Sequence, residues 1–469
     1  MKKTKTIGAA LMTIFSAAAA YALPPNLPKT APFDFRPPQG ERITLENGMI
    51  VYLMKDNTMP VVHLTAIIRT GKINDPVEKI GLGELTASLL KDGGTLKYKP
   101  EDIDKTLEYL AASVETSMGV EEARADMTVL KKDLDAVLDI YADVLMNPAF
   151  AEDKLKIKRD EALEMIRRRF DNPGQAATRE ALRAFYGAAH PYGWRTEEAT
   201  IKAITTDDLK AYHANYYKPN NIIVAVAGDF GSKEELLEKL KSKFGTWPKG
   251  EVKFPAIPPV EIKEERRVFH IDKDISQAFI VMLQKGIKRH DPVEYALTVT
   301  NEILGGGSGL SSRLAAEIRS RRGLAYTTYS YSAKKPDYGY TLGYCGTKPE
   351  TYSQALTEMI KQFKLIGEQP APAEEVAMAR DSIVNSFVFR FPTPFELISE
   401  RAVYEYYGYK PDYLDNYVAN VAKTDPAAVL DTAKRLYKPE NAMIFVIGNS
   451  KKFDKPLSEF GPVTELKED

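Results

Sequence analysis

Histidine and cysteine are scarce in this chain of 469 residues, which contains five His and one Cys. Because Cys345 has no second cysteine to pair with, an intramolecular disulfide is excluded. No two histidines are four residues apart, so no helix presents the pair of imidazoles that a zinc-binding helix needs. Neither sign of charge dominates, since 64 Lys and Arg against 65 Asp and Glu leave a net charge of -1. That balance gives no electrostatic basis for binding nucleic acid or an anionic membrane.

Long apolar runs are absent as well, apart from one near the amino terminus. Three lysines within the first five residues precede an apolar run from 7 to 20, and an A-x-A cleavage pattern ends at Ala22. The run is shorter than the roughly 20 residues that span a bilayer. The pattern predicts a secretory signal peptide over residues 1–22 and export to a bacterial periplasm, with no membrane insertion after cleavage.

The chain contains an internal repeat with a shift of about 220 residues. The segment Y-K-P-N-N at 217–221, followed by an apolar run and Gly228, returns as Y-K-P-E-N at 437–441, followed by an apolar run and Gly448. Three further pairs keep nearly the same shift: Asp75-Pro76-Val77-Glu78 with Asp291-Pro292-Val293-Glu294, Arg159-Asp160 with Arg380-Asp381, and Tyr186-Gly187 with Tyr407-Gly408. The repeat predicts two halves with the same order of elements.

Apolar patterns within each half predict the fold class. In the first half, 50–54 and 61–69 have the pattern of strands, whereas 133–146 and 151–169 have helical spacing. Strands and helices do not strictly alternate, which favours an α+β fold. Each half is then an α/β sandwich, a mostly antiparallel sheet with helices on one face. The proline-rich stretch 247–265 lacks periodicity and predicts a linker between domains at 23–246 and 266–469.

One segment of the first half has the outline of a known motif. Residues 81–95 read G-L-G-E-L-T-A-S-L-L-K-D-G-G-T. This segment resembles the G-L-A-H-x-x-E-H-M-x-x-K-G-T helix of the pitrilysin-type inverted zincins, the family that includes insulysin and the mitochondrial processing peptidase. The resemblance covers the whole mature chain and implies that the two halves are joined as a clamshell.

The resemblance fails at the residues that hold zinc and activate water in that family. Glu84 and Ser88 stand at the two His positions, and Ala87 stands at the position of the general base. The family's third ligand falls on Met165, or on Glu164 if the alignment slips by one residue. A hydroxyl is a poor zinc ligand and alanine accepts no proton. The resemblance therefore implies a member that holds no cofactor of its own and cleaves nothing alone.

The second half retains a different motif of the family. Residues 304–326 read L-G-G-G-S-G-L-S-S-R-L-A-A-E-I-R-S-R-R-G-L-A-Y, which predicts a helix that ends at Gly323, with Arg319 in its last turn and a strand from Tyr326. In the family, an Arg and a Tyr seven residues apart reach across to the opposite zinc site. There the guanidinium binds substrate carbonyls and the phenol stabilises an oxyanion. Periodicity alone favours a solvated Arg319 near a helix end and a core Tyr326, whereas the match to the family's motif favours the functional role.

Two other segments are candidate substrate contacts. Gly305, Gly306 and Gly307 lack the Lys-Ser/Thr of a phosphate-binding loop, which favours a flexible loop lining the peptide chamber. Residues 112–117 stand where the family pairs its substrate with an edge strand, and an ordinary sheet edge has the same pattern.

These features predict the non-catalytic subunit of a heterodimeric, periplasmic zinc metallopeptidase. A paralogous chain with an intact H-x-x-E-H motif would hold the zinc, this chain would supply Arg319 and Tyr326, and peptides would be the substrates. One alternative is a non-enzymatic, chaperone-like peptide-binding clamshell that acts as a homodimer. Another is a peptidase with a relocated metal site, although no other His/Glu cluster has ligand spacing.

Overall fold

Two six-stranded sheets form the frame of the molecule, one from each half of the repeat. The computed structural model describes residues 36–307 and 311–468, so the predicted signal peptide at 1–22 lies outside the described residues. The strands of the first half are β1 Glu41–Thr44, β2 Ile50–Lys55, β3 Val61–Ile68, β4 Ser113–Met118, β5 Ala123–Leu130 and β6 Ile222–Gly228. Those of the second half are β7 Arg267–Asp272, β8 Ala278–Lys285, β9 Ala325–Ala333, β10 Tyr340–Thr347, β11 Met443–Gly448 and β12 Val463–Leu466.

The sheets are surrounded by α-helices. The helices of the first half are α1 Leu82–Asp92, α2 Pro100–Tyr109, α3 Leu134–Met146, α4 Glu152–Arg167, α5 Pro173–Tyr186, α6 Glu198–Ala203, α7 Thr206–Tyr216 and α8 Lys233–Phe244. Those of the second half are α9 Glu294–Leu304, α10 Tyr352–Glu368, α11 Ala373–Phe387, α12 Pro394–Tyr406, α13 Tyr413–Ala422 and α14 Pro426–Leu436. A π-helix, Ala315–Arg321, precedes β9. Within the described ranges, no helix is both long and apolar enough to cross a membrane.

The two sheets share the topology of five strands and differ in the sixth, because β1 pairs antiparallel with β2 whereas β12, from the end of the second half, pairs parallel with β7. The strand order is β1-β2-β6-β3-β5-β4 in the first sheet and β12-β7-β11-β8-β10-β9 in the second, so β6 and β11 hold equivalent central positions. Four of the five neighbouring pairs in the first sheet and three of the five in the second are antiparallel. The predicted α+β halves with mostly antiparallel sheets are therefore confirmed.

Alternate residues of the central strands face opposite sides of each sheet. In the first sheet one set packs into the core beneath α1, α3 and neighbouring helices, where Val224 and Val226 are fully buried. The other set packs against α12 and comprises Ile67, Ile223, Ala225 and Ala227, together with Ile398 and Ala402 of α12. Each buried isoleucine or valine among them contributes about 1.5–3 kcal/mol by burial. The sheet is thus covered on both faces.

The helix on the second face of each sheet comes from the opposite half of the chain. The second-half helix α12 covers β2, β3 and β6, and the first-half helix α5 packs against β8 and β11. The two helices are repeat equivalents, because Pro173 and Pro394 begin them with a shift of 221 residues (394 − 173). This reciprocal crossover joins the halves, and the residues that the structure describes form one compact unit.

The stretch between the halves is tied to both of them. It contains no helix or strand from 248 to 264. On one side, His190 Nε2 donates to the Pro258 carbonyl at 3.1 Å while its Nδ1 accepts from Tyr192 N–H, which fixes the tautomer. On the other side, Val260 N–H donates to Asp337 Oδ2 at 2.8 Å. His190 therefore has a structural role.

Glu121, in the turn between β4 and β5, connects the two halves through a buried ion cluster. Its side chain is 7% exposed, and its carboxylate accepts from Arg289 Nη2 at 2.6 Å and from Lys335 Nζ at 2.7 Å. Its main-chain carbonyl accepts from the Tyr406 hydroxyl on α12. Burial opposes ionisation, but Lys335 and Arg289 outweigh it and hold the pKa of Glu121 below its ordinary value.

Candidate functional site

Asp75 fixes the start of α1 by accepting hydrogen bonds from the two glycines that begin the motif. Its carboxyl is buried, with Oδ2 accepting from Gly81 N–H at 2.8 Å and Oδ1 accepting from Gly83 N–H at 2.9 Å. A side chain at Gly83 would approach the Tyr212 hydroxyl to 2.8 Å, so this position requires glycine. The motif residues around the zinc positions thus position the helix, whatever the chemistry at its centre.

Replacing Asp75 with Asn is expected to destabilise the protein by about 1–3 kcal/mol, because an amide nitrogen cannot accept from one of the two N–H groups. Burial raises the pKa of Asp75 from 3.8 to about 7, against the opposing effect of the Gly81 and Gly83 N–H groups. The folded state therefore binds more protons than the unfolded state between about pH 4 and pH 7. Wild-type stability should fall as pH rises through that window, and the variant should lack this slope. Urea unfolding at several pH values measures both, and parallel pH profiles would contradict the assignment.

The positions that hold zinc in the family carry side chains with other partners. The Glu84 carboxylate pairs with Lys72 at 2.9 Å, and the Ser88 hydroxyl donates to the Leu85 carbonyl at 3.0 Å. Ala87 is buried, and its carbonyl accepts from the Thr116 hydroxyl of β4. A zinc ion binds imidazole, thiolate and free carboxylate. These three positions do not fit it, because the carboxylate is paired with a lysine, the hydroxyl already donates to a carbonyl, and the methyl group has no ligand atom.

The third ligand position lies beside a cavity of about 380 Å³ between α1 and α4. Met165 is 70% exposed and lines this cavity together with Glu84. Glu164 is not among its lining residues and lies 3.6 Å from Arg167. The structure therefore brings Met165, and not Glu164, to the cavity. No group of three or more His, Cys, Asp or Glu within residues 36–307 and 311–468 is arranged to hold a metal ion.

The histidines are dispersed, and each makes a structural hydrogen bond. Their partners are Thr128 for His63, Pro258 and Tyr192 for His190, Leu145 for His213, Glu465 and Gly448 for His270, and Tyr407 for His290. Burial lowers the pKa of both His190 and His213. These imidazoles serve the fold.

The Arg319 and Tyr326 motif has a local structure that the sequence did not predict. The expected helix forms with Ile318 buried, but it is wound as a π-helix, a form that is frequent at functional sites. Gly323 follows it, and β9 begins one residue before Tyr326. In the pairing of β9 with β10, Gly346 faces Thr327 and Thr347 faces Ala325, so Tyr326 is the extra residue of a β-bulge.

The bulge directs the Tyr326 side chain into solvent. Tyr326 is 78% exposed, and its hydroxyl makes no hydrogen bond with any described residue. The Arg319 guanidinium carbon lies 5.1 Å from the centre of its ring, within the range of a cation–π contact. Neither residue lines the cavity beside Met165. The alternative prediction that Tyr326 lies in the core is therefore wrong, because the side chain is exposed.

The other two candidate segments lie at sheet edges. Gly305 is buried, and its carbonyl accepts from Ser330 N–H on β9, while Gly306 N–H donates to the Asn301 carbonyl. Gly307 is exposed. These glycines therefore pack the end of α9 against β9. Residues 113–118 form β4, which is an edge strand of the first sheet.

Sequence reasoning missed a second cavity and a cluster of arginines beside it. The cavity, of about 570 Å³, lies between α5 and the second sheet. The cluster sits at the same helix and consists of Arg169, Arg179, Arg183 and Arg195 around Glu180 and Glu197. Tyr329 and Tyr331 are two residues apart on β9, a spacing that indicates an aromatic face of the sheet. No pattern in the sequence, however, predicts that α5 packs against that face.

Comparison with known proteins gives two family models and several curated relatives. The model described as Insulinase (Peptidase family M16) matches residues 50–194, and the model described as Peptidase M16 inactive domain matches residues 203–383. The uncharacterized zinc protease YmxG of Bacillus subtilis is 24% identical over 410 residues, 87% of this chain and 98% of that protein. The zinc protease PqqE of Helicobacter pylori is 27% identical over 338 residues, 69% of this chain and 73% of that protein. The non-peptidase homolog YmxG of Helicobacter pylori is 23% identical over 412 residues, 86% of this chain and 92% of that protein.

Solved structures show the same fold. A peptidase M16 inactive domain from Pseudomonas fluorescens superposes with a TM-score of 0.81 at 24% identity, covering 89% of this chain and 100% of that one. The periplasmic protease PqqL from Escherichia coli superposes with a TM-score of 0.73 at 17% identity, covering 90% of this chain and 49% of that one. The two-halved clamshell is therefore the fold of this chain too.

Proposed function

We propose that this chain, which belongs to the M16 peptidase family, is the non-catalytic subunit of a heterodimeric zinc metallopeptidase and supplies Arg319 and Tyr326 to the active site of its partner. The partner is a paralogous M16 chain with an intact H-x-x-E-H motif. It holds the zinc and the general base, and this chain holds no cofactor. The substrates are peptides that enter the chamber between the subunits.

The bulge at Tyr326 is the observation that carries the proposal. A β-bulge adds an unpaired residue and turns its side chain away from the regular face of the sheet, and bulges are common next to active sites. Here the bulged residue is an exposed tyrosine stacked with an arginine. A phenol hydroxyl without an internal partner is free to donate to an oxyanion, and a guanidinium is suited to substrate carbonyls.

Other observations support the pairing and the compartment. Helicobacter pylori has one relative named as a zinc protease and another named as a non-peptidase homolog, which supports the association of an active chain with an inactive one. The signal-peptide pattern at 1–22 and a structural neighbour described as a periplasmic protease support a periplasmic location.

Reconstitution tests this function. The mature chain and its zinc-motif paralogue from the same organism would be purified separately, assayed for zinc and for cleavage of a quenched fluorogenic peptide, and then mixed. We expect no stoichiometric zinc and no cleavage from this chain alone. Activity should rise on mixing and saturate at a one-to-one ratio.

Two outcomes would contradict the proposal. Full activity of the paralogue alone, with no complex in gel filtration, would remove any role for this chain in catalysis. A stable homodimer that ignores the paralogue but retains peptides would favour the alternative, a peptide-binding clamshell without enzymatic activity.

A further inference from the structure

Two cavities meet at Arg179, on the exposed side of α5. The first is the cavity beside Met165 and the degenerate zinc helix. The second lies between α5 and the second sheet. Arg179 lines both, and its side chain is 37% exposed. Neither cavity includes Arg319 or Tyr326, so this junction is separate from the proposed catalytic pair.

The second cavity has an aromatic wall. Tyr329 and Tyr344 stack with their ring centres 4.9 Å apart and their planes at 20°, and Phe279 lies beside Tyr344. The first turn of α5 approaches this wall closely, because a side chain at Gly174 would come within 2.6 Å of the Tyr344 hydroxyl. The glycine permits this close contact, and the slot that stays open beside it is lined by Gln175, Thr178 and Arg179 of α5 and by the rings. Such a slot fits an aromatic or large aliphatic side chain.

The arginine cluster, which reaches this slot through Arg179, carries excess positive charge. Four guanidinium groups share two carboxylates, and Glu180, which is 5% exposed, takes contacts from three of them at 2.9, 3.2 and 3.9 Å. Burial and the neighbouring Arg195 lower the pKa of Arg169, as expected where cations outnumber anions. Arg179 Nη2 is buried and has no acceptor among the described residues. A carboxylate is the kind of acceptor that this nitrogen lacks.

The acids of the first cavity do not neutralise this cluster. The two that line it are Asp75 and Glu84. Asp75 accepts from the two N–H groups at the start of α1, and Glu84 is paired with Lys72. The side of the junction nearest Arg179 thus remains positive and suited to an anionic group.

We propose that this junction binds the carboxyl-terminal residue of a peptide, with its aromatic or large aliphatic side chain between α5 and the Tyr329–Tyr344 pair and its α-carboxylate on Arg179. A charge-assisted hydrogen bond to the guanidinium fixes the end of the peptide, and the slot selects its last side chain. This inference names a substrate class for the proposed peptide chamber and rests on that function. The zinc-bearing partner is not needed for the binding itself.

Direct binding to the isolated mature chain tests the site. The probe is an octapeptide that ends in phenylalanine and carries fluorescein at its amino terminus, followed by fluorescence anisotropy. The same peptide as a carboxyl-terminal amide, and an analogue ending in glycine, are compared with it. We expect both to bind about tenfold more weakly or worse, because the amide loses the charged hydrogen bond and glycine loses the buried ring. A further peptide ends in phenylalanine amide and has glutamate as its penultimate residue. It tests whether the bound carboxylate belongs to an internal acidic side chain instead of the carboxyl terminus.

Arg179→Gln should reduce the affinity for the free acid to that for the amide and leave the amide unchanged. Arg183→Gln is the matched control, because Arg183 lies one turn further along α5, contacts Glu180 as Arg179 does, and lines neither cavity. It should bind within about twofold of wild type. Tyr329→Ala, which removes a partly exposed ring, should weaken binding of the phenylalanine peptide but not of the glycine analogue. Circular dichroism and thermal melting would establish that each variant is folded.

Three results would overturn the inference. The wild type could bind the acid and the amide with equal affinity, the Arg179 and Arg183 variants could lose affinity equally, or no peptide could bind at all. Preference for the penultimate-glutamate amide over the free acid would also do so. Each of these outcomes leaves the proposed function intact if mixing with the paralogue still generates activity. Failure of reconstitution with the peptide preferences intact would reject the catalytic role alone.

Discussion

Replacing Tyr326 with Phe in the reconstituted heterodimer is expected to lower kcat by about 10²–10³-fold, the typical effect of removing one oxyanion donor. The hydroxyl has no partner among the described residues, and its ring is 78% exposed, so the substitution removes nothing that this chain needs for its own stability. The loss must then arise in the reaction. Steady-state kinetics with a quenched fluorogenic peptide would measure it, alongside the zinc content and mass of the complex, which should not change.

A second exposed tyrosine on the same strand provides the control. Tyr331 is 55% exposed and lies in the regular part of β9, paired opposite Leu342. Tyr331→Phe should retain the wild-type kcat. Arg319→Ala should differ from both by raising KM as well, because it removes a charged donor from the peptide-holding surface. Wild-type turnover in the Tyr326 variant, with the heterodimer intact, would return Tyr326 to an ordinary surface role.

Much of the frame of this molecule could be predicted from local patterns. The apolar alternation that indicated strands at 50–54 and 61–69 corresponds to Ile50–Lys55 and Val61–Ile68. Helical spacing located Leu134–Met146 within one residue. These features are set by side chains a few residues apart, and the repeat carried the same assignments into the second half. Local periodicity and a constant shift are both visible in one sequence.

The reciprocal crossover of α5 and α12 was not predictable in this way. The small residues Ala176, Ala177 and Ala181 show that α5 has a buried face, but burial against either sheet gives the same spacing. The choice depends on contacts with Val281 and Phe445, which lie more than 90 residues away in the chain. The bulge at Tyr326 likewise depends on the register of β10, which the sequence of β9 alone does not specify.

The candidate site also has parts that could be predicted from the sequence and parts that could not. The replaced zinc positions were readable because the motif is contained within one helix, and Asp75 with its two glycines keeps that helix in place without metal. The junction at Arg179 was missed because its parts come from α5 and from three strands of the other half. A sequence pattern detects chemistry carried by one element, whereas a site assembled across the crossover appears only in the fold.

Removing the Glu121 carboxylate is expected to destabilise the protein by about 3–5 kcal/mol, the cost of leaving buried partners of an ion cluster unpaired. In Glu121→Ala, Arg289 and Lys335 would keep their charges at the contact between the halves without a counterion. Their side chains are only 13% and 22% exposed, so water compensates them poorly. Urea unfolding at neutral pH would measure the loss. Glu115→Ala is the control, because Glu115 on β4 is 72% exposed, and its contact with Lys91 at 3.9 Å is a surface pair worth at most about 1 kcal/mol.

The pH dependence of stability distinguishes the charge of Glu121 from its contribution to packing. Lys335 and Arg289 hold the pKa of Glu121 below its ordinary value near 4.5, so the folded state binds fewer protons than the unfolded state in that range. The stabilisation is complete above about pH 4.5 and is lost as the pH falls through the lower folded value. The difference in stability between wild type and Glu121→Ala should therefore shrink as the solution is acidified. A difference that stays constant with pH would mean that the carboxylate acts through its shape alone.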